Sequence, residues 1–126
     1  MTLLRQLEAE HRQIEQGLDR LETGFTPEIF RAVRDAALQH YRRESGLFAA
    51  AGPPFAAFVA KLEAQHAEVA EIARELDRSL AAGDARDVSR LCRRFRALAQ
   101  HNIIEEERDL FPLLWADPAA DYDQEI

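Results

Sequence analysis

With 126 residues, 47% of them apolar and 31% charged, the chain has the makings of one globular domain and not of a disordered segment. Its net charge of −7 contains no basic run, which argues against nucleic acid and anionic membrane as partners. No stretch nears the roughly 18 consecutive apolar residues of a membrane span, Met1 to His11 lacks the apolar core of a signal peptide, and the single cysteine, Cys92, has no internal disulfide partner, so a cytoplasmic location is expected.

Glycine and proline divide the chain into four long segments. The first runs from about Thr2, a capping residue, to Glu22. Leu4, Leu7, His11, Ile14, Leu18 and Leu21 step by three and four, which places them on one stripe of a helix. His11 stands where an apolar residue is expected, and Thr23-Gly24 closes the segment. Thr26-Pro27 opens the second, a cap followed by proline at the first helical position. Its stripe is Phe30, Val33, Ala37, His40, Glu44, Leu47 and Ala51, with two successive polar residues among the hydrophobes, and Gly52-Pro53-Pro54 breaks it.

The third segment, from about Pro54 to Ala82, carries Phe55, Val59, Leu62, His66, Val69, Ala73, Leu76 and Leu80. Gly83 ends it, and Asp84 or Asp87 caps the next. The fourth runs from about Ala85 to at least Glu107, with an expected inner face of Val88, Leu91, Phe95, Leu98, His101 and Glu105. The apolar run Leu110 to Trp115 reads as a bend or last helical turn over one end. Residues 116–126 read as an acidic tail outside a domain of residues 1–115. Four helices with short connections make the expected class all-α: an antiparallel up-down-up-down four-helix bundle.

The chemistry-bearing residues repeat. His40 and Glu44 are four residues apart, as are His101 and Glu105, and i and i+4 share a helix face. The two remaining histidines, His11 and His66, lie in the similar phrases Leu-Glu-Ala-Glu-His and Leu-Glu-Ala-Gln-His. At about 1.5 Å per residue, each histidine lies about as far from the intervening turn as its neighbour, so all four fall at one height of an antiparallel bundle. Alone, a histidine four before a glutamate is ordinarily a surface salt bridge, and a histidine on an apolar stripe is ordinarily a hydrogen-bonded core residue. Together, His11, His40, Glu44, His66, His101 and Glu105 form a candidate metal site, because imidazole nitrogen with carboxylate oxygen suits iron, zinc or manganese, and such a set exceeds one tetrahedral ion. Glu106 and Glu107 compete with Glu105, although residues five and six after His101 are turned about 140° and about 240° from it. Glu8 and Glu63 are candidate acceptors for the outer imidazole N–H groups, or simply solvated residues. Cys92 and Trp115 read as packing residues, and Tyr41 as lying in a groove beside His40.

The histidines of these two phrases, His-Tyr-Arg-Arg-Glu and the run His101 to Leu114 together resemble the hemerythrin-like, or HHE cation-binding, domain family over about Leu3 to Leu114. The resemblance implies a four-helix bundle with a non-haem centre of two iron ions, oxo- or hydroxo-bridged. Glu44 and Glu105 would bridge, His11 with His40 would serve one iron, and His66 with His101 the other. Oxygen-carrying hemerythrins place a further histidine one turn after the one matching His66, where this chain has Ala70. That departure resembles the members associated with repair of iron centres and with iron or oxygen sensing. It implies reaction with dioxygen, nitric oxide or peroxide in stress response or iron handling, with no catalytic residue singled out. A sensor acting on a protein partner, and a metal-free interaction bundle, are the alternatives.

Overall fold

The structure is a computed structural model that describes residues 2–116. It consists of helices α1 (Leu3–Thr23), α2 (Pro27–Ala51), α3 (Ala56–Ala82), α4 (Ala85–Glu105) and α5 (Phe111–Ala116), with no β-strand among the described residues. The ends follow the chemistry of the breaks. The Thr2, Thr26 and Asp84 side chains accept from the amides of Arg5, Ile29 and Asp87, satisfying donors that a helix start leaves free. Gly83 ends α3 at φ 71°, a left-handed conformation that favours glycine. Residues 117–126, and with them nearly all of the expected acidic tail, lie outside the described residues; Ala116 ends α5.

Side-chain pairings fix the topology. From α1 to α4, His11 meets Glu107, Glu15 meets Gln100 and the Leu18 carbonyl meets Arg96, so rising numbers meet falling ones. Arg34 with Asp77 and Glu44 with His66 make α2 and α3 antiparallel. Gln65 with Asn102 and Ser79 with Asp87 do the same for α3 and α4, as Glu10 with His40 does for α1 and α2. The result is the up-down-up-down bundle expected from the sequence, with α1 beside α4. No described helix is long and apolar enough to cross a membrane.

The stripes of α1 and α2 are buried as expected, and those of α3 from Leu62 to Leu76. The core is not continuous. One cluster, around Ile14, Phe30, Leu76 and Phe95, fills the end with the α1–α2 and α3–α4 turns. A smaller one, around Leu4, Leu47, Leu62 and Leu114, fills the other end. Every long helix passes from one cluster to the other through a buried polar position: His11, His40 with Glu44, His66, and Glu106 in the stretch after α4.

The fourth helix differs from expectation. Its buried line is Leu91, Cys92, Phe95, Ala99, Asn102, Ile103 and Glu105, so that Leu91, Phe95 and Glu105 are buried as expected, whereas Leu98 is only half-buried and His101 is exposed. After Glu105 the chain makes one wide π turn, Glu106–Leu110, in which the Phe111 amide donates to the Glu106 carbonyl five residues back. Pro112 explains the widening, since it brings no N–H and its ring crowds the carbonyl four residues before it. The extra residue turns Leu110, Phe111 and Leu114 onto the core, so α5 extends α4 and covers the smaller cluster. Cys92 is a packing residue as expected, but Trp115 is 43% exposed, with the Arg5 guanidinium over its ring.

Candidate metal centre

Each buried polar position sits on the apolar stripe of its helix, so the fold aims them all at the bundle axis. His11 comes from α1, His40 and Glu44 from α2, His66 from α3 and Glu106 from the π turn. A ligating atom from each of His11, His40, Glu44 and Glu106 lies within 4.8 Å of the others. The two carboxylates divide their oxygens between imidazoles. Glu44 Oε2 lies 3.3 Å from His11 Nε2, and its Oε1 lies 3.1 Å from His40 Nε2 and 3.2 Å from His66 Nε2. Glu106 Oε1 lies 3.0 Å from His11 Nε2, and its Oε2 lies 2.8 Å from His66 Nε2.

The outer edges of two imidazoles are held by further carboxylates. His11 Nδ1–H donates to Glu107 Oε2 at 2.7 Å, and Glu107 also receives two bonds from Arg12. His40 Nδ1–H donates to Glu10 Oε1 at 2.7 Å, and Arg43 pairs with the other Glu10 oxygen. These bonds fix ring orientation and leave each Nε2 facing the centre. Glu107 therefore takes the place considered for Glu8 at His11, Glu10 serves His40, and the His66 nitrogen considered for Glu63 has no hydrogen-bond partner. Aromatic rings close the flanks: Phe111 stacks on His11 at 5.5 Å, while Tyr41 and Phe48 stack on His66 at 3.9 and 5.7 Å. Tyr41 thus lies against the site and also lines the groove between α2 and α3, as its expected position has it.

The electrostatics of the metal-free chain are those of a crowded proton-sharing cluster. Burial works against charge on His11, but hydrogen bonds to Glu106, Glu107 and Glu44 raise its pKa to about 11. Burial likewise opposes charge on His66, and contacts with Glu106 and Glu44 raise it to about 9. Glu106 is pushed up, first by burial and then by the charge of Glu44. Burial also opposes ionisation of Glu44, yet the close approach of Glu106, His11, His40 and His66 holds its carboxyl well below the usual range. Burial and those two negative charges together lift the Tyr41 phenol above its ordinary value.

Protons do not satisfy the cluster. His40 Nε2, both Glu44 oxygens and His66 Nδ1 are buried with no well-aligned hydrogen-bond partner. An unsatisfied buried polar atom costs about 1–3 kcal/mol, and three of these four atoms face the shared centre. The nitrogen and oxygen donors, each beside the others, fit a borderline cation such as iron, zinc or manganese.

Two expected ligands lie outside this group. The His101 side chain is 56% exposed, and its Nε2 sits 2.7 Å from Glu105 Oε1. Glu105 in turn takes Lys61 and a Gln65 amide, and Lys61 is foremost in holding its carboxyl below the usual range. The His101–Glu105 pair thus joins an exposed imidazole to a carboxylate buried beside Lys61 and Gln65, outside the group that gathers around Glu44. The physical reason is rotation. Glu106 is fully buried, and on one helix a residue five positions earlier points about 140° away. The signal for Glu106 was present in the apolar spacing: Phe95, Ala99, Ile103, Glu106 and Leu110 step by four, four, three and four.

A family model described as the hemerythrin HHE cation binding domain matches residues 2–114. Neither a curated protein nor a solved structure matches the chain. With three helices and the π turn after the fourth delivering histidines and glutamates to one buried point, and the match spanning all of them, the chain belongs to the hemerythrin HHE cation-binding domain family.

Proposed function

We propose that this chain is a non-haem iron protein whose centre holds two iron ions and takes up small oxygen or nitrogen ligands such as dioxygen, nitric oxide or peroxide. The ligand set is His11, His40, His66, Glu44 and Glu106. One observation carries the proposal: each carboxylate splits its oxygens between the His11 side and the His66 side, and so would be able to serve two cations at once. When bound, iron would supply electron transfer and Lewis acidity toward such ligands. The chain's own residues do the rest. Glu10 and Glu107 hold two imidazoles in orientation, and Tyr41, Phe48 and Phe111 screen the centre from water. Ala70, one turn after His66, offers no ligating atom, which favours open positions and reactive chemistry over carriage.

The test is elemental analysis of protein purified from iron-replete cells. About two irons per chain are expected, falling below about one in Glu106→Gln and unchanged in Glu105→Gln. Equal iron in wild type and E106Q would overturn the ligand set, and no retained metal in either would overturn the function.

A second reading, a sensor that signals to a protein partner, is favoured by α5. The Phe111 ring stacks on His11, while Leu113 and Trp115 on the same short helix are 53% and 43% exposed. That arrangement couples an imidazole of the centre to an apolar surface. Trp115 fluorescence should then shift when ligand binds to the loaded centre, and an unchanged emission would remove this reading.

A further inference from the structure

His66 differs from the other residues of the cluster in three ways. It is 5% exposed, where His11, His40, Glu44 and Glu106 are 1% or less. It lines a surface cavity of about 330 Å³ in the seam between α2 and α3, together with Tyr41 and Leu38 on one wall and Ala67 and Ala70 on the other. Its Nδ1 is buried without a partner, where the same atoms of His11 and His40 are tied to Glu107 and Glu10. The ring is thus placed by its Nε2 contacts and by stacking between Tyr41 and Phe48.

These facts have one spatial meaning. The rings that α1 and α2 supply, His11 and His40, are tethered at their outer edges, and the ring that α3 supplies, His66, is not. That untethered ring is the one that lines a cavity open to water. The cavity has room for roughly ten waters, ample for a ligand of two or three atoms. Ala67 and Ala70 contribute only methyl groups to the wall. A larger side chain at 70, one helical turn beyond His66, would stand in the space above the ring.

We propose that the α2–α3 cavity floored by His66 and Tyr41 is the route by which diatomic and triatomic ligands reach the metal centre, and that the small side chain of Ala70 keeps it open. This inference rests on the function proposed above, and its test separates the two. Ala70→Leu places a good helix former at a half-buried position, so the fold is retained. Azide is mixed with iron-loaded wild-type and A70L protein in a stopped-flow instrument, with iron content and azide affinity measured alongside. A route predicts that association and dissociation both slow, by roughly tenfold, at unchanged affinity and iron content. Ala97→Leu, on the seam between α1 and α4, should leave both rates as they are. Equal rates in A70L and wild type would overturn the route, as would equal slowing by A97L or a loss of affinity without slower association.

A metal-free measurement keeps the proposal testable if iron does not load, in which case the proposed function fails by itself. Exchange of the imidazole C2 proton reports on solvent reaching each ring and is read by mass spectrometry. Ala70→Leu should slow exchange at His66 while exposed His101 stays unchanged. No slowing at His66 would overturn the cavity as the way in.

Discussion

Glu105 and Glu106 are chemically identical neighbours, and about 100° of helix separates their fates. One lies under Lys61 and His101 near the surface; the other is fully buried between His11 and His66. His101→Ala should accordingly leave metal content unchanged, since the ring is exposed and pairs with Glu105, and elemental analysis reads this directly. The outer carboxylates act through the imidazoles they orient. Glu107→Gln and Glu10→Gln are each expected to weaken metal binding by about 10–100-fold in chelator competition while leaving the stoichiometry intact. Loss of metal outright would make either residue a ligand instead. Neither partner is suggested by spacing within one helix. Glu10 reaches across to α2, and Glu107 reaches α1 from the far end of the chain, so only the assembled bundle pairs them.

Among the elements, α1 packs tightly on α2 at Gly17. A Cβ there would lie 2.5 Å from Val33 Cγ2, inside van der Waals contact. Gly17→Ala therefore gains about 0.5–1 kcal/mol of helix propensity but incurs about 1–3 kcal/mol of overpacking. The melting temperature should fall by a few degrees, about 2–6 °C, and a second change, Val33→Ala, should restore part of it. The stripes of α1, α2 and α3 were legible because leucine, isoleucine and valine mark their buried faces at helical steps. Helix α4 was not, because two stripes compete there. Leu98, His101 and Glu105 keep the rhythm as well as Phe95, Ala99 and Ile103, and alanine and asparagine give little sign of burial. Beyond Glu105 the rhythm itself breaks, since a π turn holds one residue more than any regular period counts. Pro112 is its one visible cause.

For the molecule as a whole, the centre couples folding to both protons and cations. His66 and His11 titrate at about 9 and about 11 in the folded metal-free chain, above the 6.5 of a free imidazole. Their stabilisation is complete below about pH 6.5 and is lost as pH rises through those two values. Glu106, also raised, acts in the same direction. The chelated protein should therefore melt lower at about pH 9.5 than at about pH 6.5. Metal displaces the same protons, so its affinity grows with pH, and the gap between loaded and chelated melting temperatures should widen over that interval. A gap that narrows would mean that the cation does not take the place of these protons. The division of the core into two apolar clusters has a further consequence. Each cluster can hold its own end of the four helices, and what joins them is a layer of charged and polar groups. Without a cation the chain should behave as two cooperative units. Amides near Leu4, Leu47, Leu62 and Leu114, in the smaller cluster, should then exchange hydrogen ahead of those near Phe30 and Phe95. With the centre filled, both ends should open only together, which would make the bound ion the keystone of a single folding unit.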